Sequence, residues 1–80
     1  MSRMFVHWWE DSSRRVTCHR NERGLTAAES FLGEIKGCDL DGWYYRLANS
    51  EEWVGPIKYG IDVRRALEKA VGGVQINEHD

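Results

Sequence analysis

The side chains with the widest chemical range in this 80-residue chain are three histidines and two cysteines. A structural zinc site takes four ligands, usually in close-spaced pairs. Cys18 and Cys38 stand far apart with no CxxC motif, and Cys18 and His19 are adjacent, so on a strand they face opposite ways. Only His7 and Cys18 could meet, across a hairpin. Nucleophilic catalysis would require a cysteine or serine beside a histidine that a carboxylate orients. Cys18, Cys38, Ser30 and Ser50 lie in no such motif, and no glycine-rich phosphate loop occurs. Asp39 with Asp41 and Glu51 with Glu52 are paired carboxylates, but in turns such pairs are ordinarily solvated. The sequence therefore predicts no enzyme, no metal and no organic cofactor.

Charge and aromatic content say more. The formal net charge is −2, which argues against a protein devoted to gripping phosphate backbones. The two ends differ: Arg3, Arg14, Arg15, Arg20 and Arg23 outnumber three carboxylates before residue 25, and ten carboxylates outnumber six basic residues after it. The acidic excess lies in Glu29, Glu34, Asp39, Asp41, Glu51 and Glu52, near only Lys36 and Arg46. It reads either as a solubilising surface or as a patch complementary to a basic partner. Four tryptophans, three tyrosines and two phenylalanines are more than a small core can hide. Trp8, Tyr44 and Trp53 are the candidates for exposed, partner-binding rings.

The elements that must position these residues are short. Met4 to Glu10 is rich in aromatic and β-branched residues and predicts a strand. Asp11 to Arg14 is turn chemistry, and Arg15 to Arg20 returns as a second strand. In that register Phe5, His7, Trp9, Val16 and Cys18 form the core side, with Val6, Trp8, Arg15, Thr17 and His19 opposite. Thr26 to Glu29 is a capping box, and Ala28, Phe31, Leu32 and Ile35 make an apolar helical stripe. These predict a helix over 27–36, stopped at Gly37. Trp43 to Leu47 alternates as a strand, with Trp43, Tyr45 and Leu47 on one face and Tyr44 and Arg46 on the other. A return strand starts at Glu52 and breaks at Gly55-Pro56. Asp62 caps a second helix over 63–71, whose stripe is Val63, Ala66, Leu67 and Ala70 and which Gly72-Gly73 ends. Val74 to Ile76 adds a short last strand, and Asn77 to Asp80 fray.

The chain thus reads as strand-strand-helix, twice. It predicts one α+β domain over 1–80: one antiparallel β-sheet of four or five strands with two α-helices packed on one face, in ββαββα order. No apolar run approaches the ~20 residues of a membrane span, and two cysteines without a framework fit a reducing cytoplasm.

The stretch Trp43-Tyr44-Tyr45-Arg46-Leu47, a turn, Glu52-Trp53-Val54-Gly55-Pro56 and then a capped helix with Ala66 and Ala70 resembles a pattern in small phage and prophage proteins. There a hairpin ends in Gly-Pro and an alanine-rich helix folds back. Ile57 and Asp62 stand where those proteins carry an aromatic residue and Ser or Thr. Size, acidity and the lack of catalytic motifs also resemble the anti-CRISPR inhibitors of phages. That resemblance implies a phage-encoded inhibitor in the cytoplasm of a bacterial host, bound to a CRISPR effector complex. Its acidic face would comprise Glu29, Glu34, Asp39, Asp41, Glu51 and Glu52, with Trp53 as an aromatic anchor. The alternative is a small nucleic-acid-binding accessory or regulatory protein that uses the arginines around the first hairpin. One contiguous acidic surface would favour the inhibitor; a basic stripe flanked by aromatic rings would favour the alternative.

Overall fold

A computed structural model of the chain describes residues 4–13 and 15–75. It opens with an antiparallel hairpin of β1 (Met4–Glu10) and β2 (Val16–Arg20). The Asp11 carboxylate organises its turn: one oxygen accepts from the backbone N–H groups of Ser13 and Arg15 and from the Ser13 hydroxyl. The pairs are His7 with His19 and Trp8 with Cys18, so the predicted cross-strand pair of His7 and Cys18 does not form. The predicted faces of β1 are exchanged. Val6 is fully buried on the side of Trp8 and Cys18, whereas Phe5, His7 and Trp9 share the other side with Thr17 and His19.

The capping box forms: Glu29 N–H donates to the Thr26 hydroxyl, and the Glu29 carboxylate accepts from Thr26 N–H. The helix behind it, α1 (Ala27–Ser30), is one turn long. Phe31 to Lys36, predicted as its continuation, belongs instead to strand β3 (Phe31–Cys38), which pairs antiparallel with β2 and with β4 (Gly42–Leu47). Its central place in the sheet depends on Gly33. A Cβ there would lie 2.6 Å from the Arg46 carbonyl oxygen and 2.9 Å from Leu67 Cδ1. The glycine that is a weakness in a helix thus lets two backbones and a helix close on one point. A register shift between Cys18 and His19 then brings Phe31 opposite His19.

Beyond β4 the chain forms β5 (Val54–Ile57), α2 (Gly60–Val71) and β6 (Gly73–Gln75). Gly55 and Pro56 lie inside β5 instead of ending it, because β5 is an edge strand where a missing N–H breaks no ladder. The predicted second helix is present and begins earlier, after Tyr59, leaving Asp62 in its first turn rather than at its cap. Gly72 ends it in the left-handed conformation. The sheet order is β5-β4-β3-β2-β1-β6. Five strands are antiparallel, and β6 adds parallel to β1. Ile76 and the tail predicted to fray lie outside the described residues.

The fold is therefore α+β with one open sheet, but in the order ββαβββαβ, and its helices do not share a face. α2 covers one side, where Val63 and Leu67 meet Val6, Cys18 and Ile35 in a fully apolar core. Trp8 also lies on that side, and its indole N–H donates to the Glu68 carboxylate at 2.8 Å. α1 sits at one end of the opposite side, where Ser30 meets His19. Cys18 is fully buried in this core, and burial pushes its thiol up to about 12. Both cysteines are free, and no helix among the described residues is long and apolar enough to cross a membrane.

Because Gly33 has no space for a methyl group, Gly33→Ala should cost about 1–3 kcal/mol through overpacking. Urea denaturation measures this directly, and a helix-forming role for residue 33 would instead make alanine stabilising.

Candidate functional site

On the face away from α2, four strands bring one row of side chains together. The cross-strand pairs Trp9–Thr17, Thr17–Glu34 and Glu34–Arg46 place Trp9, Thr17, Glu34 and Arg46 in line across β1, β2, β3 and β4. Glu34 is the centre of that row and only 8% exposed. A buried carboxylate stays ionised only with charged or hydrogen-bonding partners. Arg15 supplies a fork, Nε donating to Oε1 and Nη2 to Oε2 at 3.1 Å each, and Arg46 Nη2 donates to the same Oε2 at 2.7 Å. Arg15 chiefly, then Arg46, holds the Glu34 carboxyl below its usual range, against burial, which pushes it up.

Aromatic rings flank this ion cluster on both sides. Toward β1, the buried His19 ring stacks on Trp9 with centroids 3.8 Å apart, and Phe31 stands edge-on to His19. Arg15 reaches over Phe31 at 5.6 Å. Toward β4, the Trp53 ring has the Lys36 ammonium 4.1 Å and the Arg46 guanidinium 4.7 Å from its centroid, both within cation–π range. Trp9 remains 41% exposed and Phe5 40%. Large rings left half-bare on an uncovered sheet face are the feature that packing does not explain.

Two grooves run beside the rings. The first, of about 640 Å³, lies among Trp9, Thr17, His19, Phe31 and the small side chains of Ala27 and Ala28. The second, of about 410 Å³, lies between Arg15, Lys36 and Trp53. Arg15 and Glu10 line both. No group of three or more metal-ligating side chains occurs among the described residues.

His19 fixes the wall of the first groove. Its Nε2 lies 2.8 Å from the Thr17 hydroxyl and its Nδ1 2.9 Å from that of Ser30, which donates onward to the Ala27 carbonyl. With the Ser30 proton so directed, its oxygen accepts from Nδ1–H and the Thr17 hydroxyl donates to Nε2. This chain ties β2 to α1 through a neutral imidazole. Burial first, then the charges of His7 and Arg15, lowers the His19 pKa from its ordinary 6.5, with the Ala27 carbonyl pulling the other way.

The predicted acidic residues do not assemble around this site. Glu34 is buried and ion-paired. Glu29 closes the capping box of α1. Asp39 and Asp41 lie at the far end of β3, in the turn to β4, where Asp39 accepts from the Trp43 indole and Asp41 from the Cys38 thiol. Glu51 and Glu52 are exposed just before Trp53. Of the predicted rings, Trp8 belongs to the α2 side, while Tyr44 and Trp53 belong to the uncovered face. Trp9, His19, Phe31 and Lys36 were not singled out as site residues. The signal for the first was available: Phe5, His7 and Trp9 form the parity of β1 that carries no aliphatic side chain. Compared with protein-family models, with curated proteins and with solved structures, the chain matches none of them, so its own residues carry the functional reading.

Two outcomes test this geometry. Glu34→Gln frees two arginines that can rehydrate, so it should cost about 1–2 kcal/mol. Replacing Arg15 and Arg46 together by alanine leaves an unpaired carboxylate and should cost more, about 3 kcal/mol; urea titration of both variants checks the order. Second, the unfolded chain protonates His19 more readily than the folded one, so stability should fall as pH drops through and below 6.5. Above that value the contribution is level. Denaturation midpoints from pH 7.5 down to pH 5.5 should show the decline, and His19→Gln should flatten it.

Proposed function

We propose that this chain is a binding module for single-stranded nucleic acid, and that the strand lies on the uncovered sheet face. One observation carries the reading: Trp9, Phe31 and Trp53 stand on that face with Arg15, Lys36 and Arg46 among them. Aromatic faces stack on any base, and cations between them meet the phosphates. Glu34 offsets part of that positive charge and in exchange holds two guanidinium groups in place. The role proposed is binding: the Ser30 hydroxyl beside His19 accepts from Nδ1–H and directs its own proton to the Ala27 carbonyl, so the pair ties β2 to α1.

A second reading, the phage-encoded inhibitor of a CRISPR effector complex, draws on a different observation. Asp39, Asp41, Glu51 and Glu52 are all exposed on loops, where they could meet a basic protein partner. They occupy two separate turns, and Glu34, the member nearest the aromatic rings, is already paired.

Fluorescence anisotropy with labelled oligonucleotides separates the two. Single strands should bind more tightly than a duplex of the same length. With up to three phosphates engaged, log K should fall with log salt at a slope of about −2. Lack of binding to any oligonucleotide at about 50 mM salt would overturn the single-strand reading in favour of the acidic loops.

A further inference from the structure

Within that reading, on which it rests, we infer that the bound strand runs across the sheet at right angles to the β-strands and bridges two separate stacking stations. The first station is Trp9, backed by His19 at 3.8 Å; the second is Trp53, held by Lys36 and Arg46. They sit at the two ends of one cross-strand row, Trp9 on β1 and Arg46 beneath Trp53 on β4. Neighbouring strands lie about 4.8 Å apart, so three spacings separate the stations by roughly 14 Å. Stacked nucleotides advance about 3.4 Å each. A dinucleotide therefore serves one station at a time, and about four or five nucleotides reach both.

The ground between the stations suits the connecting backbone. Arg15 lines both grooves, and although it pairs with Glu34, its side chain is 51% exposed. A guanidinium with donors left over after binding a carboxylate can also meet a phosphate. Glu10 lines both grooves as well and opposes a phosphate there. Its charge limits affinity along this path, which gives the inference a gain-of-binding test.

The test is a length series of unlabelled single strands from two to eight nucleotides, followed by tryptophan fluorescence and calorimetry. Affinity should rise steeply between two and five nucleotides and only gently beyond. With the pentanucleotide, Trp9→Ala and Trp53→Ala should each weaken binding roughly tenfold or more. Trp9→Phe, which keeps a ring, should retain most of the affinity, and Glu10→Gln should tighten binding about twofold or more. Thermal melts identify any variant that loses its fold, and Trp9→Phe and Glu10→Gln keep the test decisive if an alanine variant does. Strands that bind with affinity merely proportional to length, or that ignore Trp53→Ala, overturn the bridging path while leaving single-strand binding intact. If no length binds, the single-strand reading itself falls.

Discussion

The Glu34 carboxylate lies in the middle of a central strand, largely out of water, and an anion so placed stays charged only if cations come to it. Arg15 comes from the mouth of the first hairpin and Arg46 from the next strand over. Meeting that one demand joins β2, β3 and β4 on their uncovered side and fixes two guanidinium groups that would otherwise be loose. One of those groups reaches over Phe31 and the other lies beneath Trp53. The aromatic positions on this face thus depend on an electrostatic constraint and not on a hydrophobic one. Charged pairs of this kind add little net stability but hold geometry well.

The two faces of the sheet divide the chemistry of the chain. Under α2 the contacts are aliphatic, with Val6, Ile35, Val63 and Leu67 excluding water. On the other face Phe5 and Trp9 are about two-fifths exposed, and hydroxyl, imidazole, carboxylate and guanidinium groups lie among the rings. His19 belongs to both regimes. It is buried like a core residue, yet it is hydrogen-bonded at both nitrogens and stacked on an exposed indole.

Much of the fold is legible in the sequence. The capping box, the strand Trp43 to Leu47, the glycine that ends α2 and the burial of Val63 and Leu67 all rest on local rules and are found as predicted, whereas Ala70 of the predicted stripe is exposed and the return strand is Val54–Ile57. Two features depend on distant residues and were misread. Ala28, Phe31, Leu32 and Ile35 fit a helical stripe, but in the sheet Phe31 meets His19 on the uncovered face, Ile35 joins the core under α2, and Gly33 lies where Arg46 and Leu67 leave no space for a side chain. In β1 both parities carry a tryptophan, so alternation alone could not orient the strand; the aliphatic Val6 chose the side of α2. The burial of Glu34 follows from a three-strand register and is invisible in a list of acidic residues.

An open sheet with bare rings on one face has every reason to stack on copies of itself. At the β5 margin the chain carries Val54-Gly55-Pro56-Ile57, four residues in all. Pro56 offers no hydrogen to an incoming strand, and a side chain at Gly55, whose φ is +152°, would press on Trp43 and Tyr44. A strand so short and so interrupted is a poor template for another chain. Growth of the sheet into a ribbon is opposed at this edge by the backbone itself, whatever the aromatic face meets.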